Sequence, residues 1–448
     1  MAEQIERSAT DIAALVADLT DALGAGSVSV DPTARKVAST DWAHMSPVLS
    51  AKLPAGLADV VAYPTTPEQI ATATHLAHRH GIPVTPRGQG TGNYGQGIPL
   101  RDGLVIDTSR CNRVLEVGDG WIRAEAGASF VALENAARQH NQEIAIMPST
   151  VGSAIGGFLA GGSGGTGSVE NGFIWDDYVH ELRVAPCTDA PELVTVDGPA
   201  ACRPHLHAYG VTGVLATVTV RLVPKRDWIG LLGSFDDEPS AVAAGRELMR
   251  LAPPPRILSI DEPAVVATLP ADPAIPAGRF SLRAVLDRSV ESVAGAIVSG
   301  HGGVVEQVRD NGAAYLASLS FNHLTYRARK ARPDLCHLQV AGEAMITRGA
   351  ELRAVLPETM VHFDGFLLDR AEGPGYVGML LCRFENSEKL YAGMDRLRDL
   401  GLLVDDPHSW LLGGDLSTVR ETAATFDPDG LLNPGKLPST GPARSSRR

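Results

Sequence analysis

Apolar positions in ATDIAALVADLTDAL, residues 9–23, fall at the spacing of one helical face and predict an opening amphipathic helix. A short strand follows over 60–64 after an irregular stretch. Thr66-Pro67-Glu68-Gln69 then reads as a helix start: Thr66 caps, Pro67 takes the first helical position and Gln69 closes a capping box. This helix runs through Ile70, Ala73 and Ala77 and ends at Gly81. Strands are expected over 82–85 and 103–107, and a hairpin pairs 113–117 with 121–126 across Gly118-Asp119-Gly120. Residues 129–139 carry helical spacing, and strand patterns return at 181–185 and 214–223. Beyond residue 226, helix patterns at 240–250 and 388–400 alternate with strand patterns at 314–320 and 377–383. A domain change is expected at about residue 225.

A chain of 448 residues exceeds one ordinary core, so two or three domains are expected. The net charge of −13 excludes a nucleic-acid surface, which needs clustered Lys and Arg. The N-terminus shows no secretory pattern, and no apolar run is long enough to span a bilayer, so no membrane partner is expected. Five cysteines are an odd number, widely spaced and without C-x-x-C. They read as reduced thiols of a cytoplasmic protein. His75, His78 and His80 share a predicted helix but lack a carboxylate or cysteine at ligand spacing, so no metal is expected. Nothing in the pattern sets an oligomeric state.

Two glycine fields carry the chemistry. PRGQGTGNYGQG, residues 86–97, contains the text G-x-G-x-x-G, but a strand rather than a helix is expected after it, so the Rossmann reading fails. The loop has no lysine, which excludes a Walker motif. What survives is a phosphate cradle of loop N–H groups, with Arg87 able to add charge. The second field, PSTVGSAIGGFLAGGSGGTG, residues 148–167, mixes bare backbone, small hydroxyls and aliphatics, which suits a flat ring system. Ile155, Phe158 and Leu159 do not fit a solvated linker. One loop for a pyrophosphate and one for a planar ring together point to a flavin dinucleotide.

Four pieces in order resemble the vanillyl-alcohol oxidase and p-cresol methylhydroxylase (PCMH-type) family of FAD flavoproteins. They are PVTPRGQGTGNYGQG, PSTVGSAIGGFLAGGSGGTGS, GVTGVLATVTVRLVP and FDPDGLLNPGKLP. The resemblance implies an α+β fold with a two-subdomain PCMH-type FAD-binding domain, an α+β substrate (cap) domain, and a C-terminal segment returning to the flavin. The boundaries it implies are a lead-in at 1–53, the FAD domain at 54–225, the cap at 226–410, the returning segment at 411–438 and a disordered tail at 439–448. It assigns FAD pyrophosphate binding to Arg87, Gly88, Gln89, Gly90, Thr91 and Gly92. The ribityl chain and ring fall to Pro148, Ser149, Thr150, Gly152, Gly156, Gly157 and Ser163. Gly213, Val214 and Leu215 are implied on the adenine side, and Asn433 and Lys436 near the ring, where Lys436 is either a cation for reduced flavin or a solvated lysine.

Many relatives bond FAD through a histidine in the first loop or a cysteine ahead of the second. Thr91 and Pro148 stand there in this chain, so dissociable FAD is expected. The implied reaction is hydride removal by FAD from a C–H bond of a small organic substrate, an alcohol or hydroxy acid, with oxygen or another acceptor completing the cycle. Candidate bases are His323, Tyr326, His362 and His408, and Arg383 offers forked donors for a substrate carboxylate. Each also has an ordinary reading, as a packed histidine or a surface ion pair. A flavin-binding electron-transfer or inactive relative is the alternative.

Overall fold

The computed structural model describes residues 9–439. Its elements form three sheets along the chain, and the site lies where they meet.

The first sheet contains β1 (Val28–Ser29), β2 (Val60–Ala62), β3 (Val84–Arg87) and β4 (Leu104–Asp107), in the order β1-β2-β4-β3. Strand β4 pairs in parallel with both β2 and β3. Helix α1 (Ala9–Leu23) and helix α2 (Pro67–Arg79) cover this sheet, burying Leu15, Leu19, Ile70 and Ala73 against Val60 and Leu104. The predicted start of α2 is present in detail. Thr66 Oγ1 accepts from Gln69 N at 3.2 Å, while the Gln69 side chain reaches back to Thr65 N at 2.8 Å rather than to Thr66. Strand β3 lies two residues beyond its predicted position, because its register follows β4 rather than its own apolar pattern. His78 and His80 are spent on Asp429 and Asp18, each at 2.8 Å, and His75 Nδ1 contacts Thr188 O at 3.1 Å.

The second sheet comprises β5 (Val114–Gly118), β6 (Trp121–Glu125), β7 (Gln142–Ile144), β8 (Val179–Ala185), β9 (Val194–Asp197) and β10 (Val214–Pro224), with β10 at its centre. Helix α3 (Phe130–Gln139) is capped by Ser129 and packs on it. Within the second glycine field, α4 (Ile155–Gly161) buries Ile155 and Leu159 in the same core.

Strand order then changes sheet. β11 (Trp228–Phe235), β12 (Ile257–Asp261), β13 (Phe280–Asp287), β14 (Val304–Arg309), β15 (Leu335–Ala341), β16 (Met360–Asp369), β17 (Gly373–Arg383) and β18 (Leu403–Asp405) form one antiparallel sheet. Their order is β14-β11-β13-β12-β16-β17-β15-β18. Helices α5 (Glu238–Leu248), α6 (Glu291–Gly300), α7 (Ala313–Ala317), α8 (Phe321–Ala331) and α9 (Ser387–Asp399) accompany it. Residues 314–320 are a correction to the strand expectation: 314–317 are helical and 318–320 turn, because Ala and Leu favour helix and a short apolar run fits either period.

Side chains lock the third sheet to the second. Trp228 Nε1 donates to Glu143 Oε1 at 2.8 Å, Arg256 donates to Ile144 O at 3.0 Å, and Arg226 grips Glu170 through two bonds of 2.7 and 2.8 Å.

After α10 (Ser417–Phe426), the chain returns to the first sheet. Val84 N donates to Leu431 O at 2.8 Å, Asn433 N donates to Val84 O at 2.7 Å, and Leu432 is buried in that core. The expected tail lies outside the described residues, apart from residue 439. Among the described helices none is long and apolar enough to cross a membrane.

Candidate functional site

The loop after β3 turns back on the second glycine field, and small residues let the two touch. A Cβ on Gly88 would come within 2.8 Å of the Ala154 Cβ, so glycine is required for this approach. Hydroxyls complete the seam: Thr91 Oγ1 lies 2.8 Å from Ser153 Oγ, which donates to Thr150 Oγ1 at 2.9 Å. The two fields, the 207–215 turn, α8 and β15 enclose a cavity of about 470 Å³.

Most residues assigned to FAD line this cavity. They are Arg87, Gly88, Gln89, Gly90, Thr91 and Gly92; Pro148, Ser149, Thr150, Gly156, Gly157 and Ser163; and Gly213, Val214 and Leu215. Gly152, Asn433 and Lys436 do not. Arg87 is spent on structure, since its Nη1 donates to Thr40 O at 2.6 Å and Ala38 O at 3.3 Å. Its guanidinium also occupies the space that a Cβ on Gly90 would need.

Lys436 matches neither of its two readings. It is fully buried and donates from Nζ to the Gly95 carbonyl beneath the first loop. Burial lowers its pKa to about 7, with the Asp41 carboxylate acting in the opposite sense. Asn433 is buried beside it, donating from Nδ2 to Tyr209 O at 2.7 Å and Gln96 O at 2.9 Å. Both residues staple the returning segment under the loop.

The five catalytic candidates divide. His323 and Tyr326, on α8, line the cavity; His362, Arg383 and His408 do not. His362 is fully buried within the third sheet, its Nδ1 2.5 Å from Asp261 Oδ1 and its Nε2 2.8 Å from Asp364 Oδ2. Burial disfavours its charge, but Asp364 and Asp261 outweigh burial and raise its pKa to about 9. Arg383 pairs at the surface with Glu358 at 2.9 Å and Glu385 at 3.3 Å. The candidate carboxylate clamp is thus a surface ion pair. His408 is buried one layer behind the cavity, with Nε2 2.8 Å from His337 O and Nδ1 2.7 Å from Ser46 Oγ. A carbonyl only accepts, so Nε2 carries the proton and Nδ1 accepts from Ser46. His408 therefore positions two neighbours that do line the cavity.

Residues without an earlier assignment complete the wall between loop and third sheet. Gln339 Nε2 donates to Tyr94 Oη at 2.6 Å, and Asn322 Nδ2 stands 3.4 Å from the same oxygen. Burial pushes the Tyr94 pKa up to about 12, so this hydroxyl keeps its proton. His337 is 5% exposed, and neither ring nitrogen has a hydrogen-bond partner among the described residues. Burial, with His408 and Arg329, lowers its pKa to about 3, which fixes it as a neutral imidazole. His323 Nδ1, Thr325 Oγ1 and Asp41 Oδ2 also line the cavity without partners. One signal for His337 was available in the sequence: it is a lone histidine inside the apolar run Leu335-Cys336-His337-Leu338. Tyr94 sat inside the first glycine field but carried no distinguishing pattern, and Asn322 carried none either.

Residues 58–188 match the family model described as FAD binding domain. Over 300 residues the chain is 25% identical to an uncharacterized FAD-linked oxidoreductase of Mycobacterium tuberculosis strain H37Rv, covering 64% of this chain and 58% of that protein. It is 31% identical over 199 residues to glycolate oxidase subunit GlcD of Escherichia coli K12, covering 42% and 39%. The chain thus spans less than two thirds of the length of these relatives. Its α+β fold is similar to that of alkyldihydroxyacetonephosphate synthase, with TM-score 0.74 at 15% identity over 95% of this chain and 85% of that one. It also resembles 4-ethylphenol oxidase from Gulosibacter chungangensis, with TM-score 0.64 at 15% identity over 96% and 98%.

The cavity fits FAD on its own geometry. Gly157 lies within α4, where glycine costs about 1 kcal/mol relative to alanine. A Cβ there would meet nothing within 4 Å, so the room it preserves belongs to the cavity. Bare backbone, three adjacent hydroxyls and apolar walls match the phosphate, ribityl and ring parts of the cofactor.

Proposed function

We propose that this protein is an FAD-dependent oxidase or dehydrogenase that oxidises a small organic substrate, an alcohol or hydroxy acid, between the FAD domain and the third sheet. Relatives named for glycolate and D-lactate make this class the natural reading. The observation that carries it is one cavity shared by both glycine fields and by His323, Tyr326, His337 and Gln339 of the cap. Bound FAD supplies two-electron chemistry, taking up a hydride at flavin N5.

Residues 87–92 would hold its diphosphate through main-chain N–H groups, with residues 148–163 along the ribityl chain and ring and 213–215 toward the adenine. His323 is held neutral by burial and by Arg327, so its ring can accept a proton from a substrate hydroxyl. Tyr94, fixed by Gln339, orients the substrate, and Phe321 helps close the cavity to water. Oxygen or another acceptor then completes turnover.

The protein reconstituted with FAD is expected to show flavin absorption that bleaches anaerobically with an alcohol or hydroxy acid. Flavin bands that no such compound reduces would favour an electron-transfer or inactive relative. We also infer dissociable FAD, since Thr91 and Pro148 stand where a linking histidine or cysteine would be and none of the five cysteines lines the cavity. Acid precipitation should leave the yellow colour in the supernatant. Colour retained in the pellet would mean a covalent link.

A further inference from the structure

The cap end of the cavity holds an unusual set of unspent polar groups. His337 Nδ1 and Nε2, His323 Nδ1 and Thr325 Oγ1 are buried there without partners among the described residues. Buried polar atoms rarely remain unpaired, because each loses its bonds to water and gains none in return. Tyr94 Oη accepts from Gln339, and from Asn322 at longer range, which leaves its own proton available. All of these groups are uncharged. Trp42 and Tyr326, edge-to-face at a ring separation of 5.6 Å, and Phe321 supply apolar walls around them.

Cations are scarce in this wall. Among the described lining residues, Arg87 is the one permanent cation; it belongs to the first loop, where its Nη1 donates to the Thr40 and Ala38 carbonyls and its Nε lies 3.8 Å from Asp107 Oδ2. Asp41, a carboxylate, also lines the cavity. A carboxylate moved out of water needs charge-assisted partners, and His337, His323, Thr325, Tyr94 and Gln339 offer it none. A hydroxyl needs one donor and one acceptor: one nitrogen of a neutral imidazole supplies one of these, and the free Tyr94 hydroxyl proton or Thr325 the other.

We propose that the substrate is an uncharged alcohol rather than a hydroxy acid, and that its hydroxyl is bound by His337 with Tyr94 and Thr325 beside it. This rests on the redox reading above and narrows it. Gln339 and Asn322 act as positioning residues, setting the Tyr94 hydroxyl. His408 does the same for His337 through the backbone carbonyl.

The test uses matched pairs differing only in CH2OH against carboxylate: ethylene glycol and glycolate, 1,2-propanediol and lactate, 1-phenyl-1,2-ethanediol and mandelate. Each is titrated anaerobically into the FAD-loaded protein, and flavin perturbation or bleaching gives the apparent Kd. The alcohol member is expected to bind at least about tenfold tighter within a pair, the phenyl pair showing the tightest binding. Equal or tighter binding of the carboxylate members, or no response to any member, overturns the inference while a normal flavin spectrum leaves the FAD reading standing. A protein that takes up no FAD overturns both. His337→Phe keeps the ring volume and removes both nitrogens. It should retain flavin and weaken the preferred alcohol by about tenfold or more, and an unchanged Kd would remove His337 from the assignment. Gln339→Arg, adding a cation to the wall, should shift each pair toward its carboxylate member; no shift would count against the charge argument.

Discussion

Gly88 and Gly157 are glycine for opposite reasons. A side chain at Gly88 would strike Ala154, whereas one at Gly157 would enter the cavity without touching protein. Gly157→Val is therefore expected to leave the thermal midpoint of the FAD-free protein within a few degrees of wild type. Its FAD affinity should fall at least about tenfold by fluorescence titration. A variant that binds FAD normally would show that α4 does not face the cofactor. The same scale explains why Arg87 and Lys436 read differently in sequence and in structure. Motif position offered both as charges for the cofactor, with a solvated lysine as the alternative for Lys436, yet each is committed to backbone carbonyls, Arg87 at Thr40 and Lys436 at Gly95. A motif gives the residue type at a position but not the direction its side chain takes.

At the scale of elements, a fully buried set of charges supports the start of α8. Arg283 donates to Asp261 and, at 2.8 Å, to Leu319 O, while Asp364 Oδ2 accepts from Phe321 N at 3.1 Å. Ser259 donates to Asp364 Oδ1 at 2.7 Å. Phe321 has φ +55°, a left-handed conformation that a bulky residue adopts only when its surroundings impose it. Two carboxylates, Arg283 and a protonated His362 bring this set to neutrality. Because the His362 pKa is raised to about 9 from an ordinary 6.5, its stabilising contribution is complete below about pH 6.5 and is lost as pH rises through about 9. Urea midpoints should fall over that window in wild type, and the fall should be smaller in His362→Gln. Equal slopes would mean that His362 is neutral. Elements bounded by local chemistry were legible: Thr66 caps the helix expected of it, and the helix expected from residue 129 begins one residue later with Ser129 as its cap. The helix at 313–317 was not, since its apolar run fits two periods and tertiary packing decides between them.

Over the whole molecule, the glycine fields were readable because bare backbone is a compositional signal. The cap wall was not, because Tyr94 of the first loop reaches His337 and Gln339, neighbours on β15, only in the folded chain. Asn433 joins three such regions at once, bonding to Val84, Gln96 and Tyr209. Asn433→Ala should lower the thermal midpoint by roughly 2–5 °C and weaken FAD binding through the loosened loop, measured by differential scanning fluorimetry with and without FAD. An unchanged midpoint would mean that the returning segment is held elsewhere.

The pairing of Leu432 with Val84 also carries a consequence for biogenesis. The ribosome makes β3 early and must then emit every strand of the cap before the partner of Val84 exists. Until that moment the nascent sheet keeps an open edge, so the cofactor-gripping half of the protein should mature only after the entire cap has emerged.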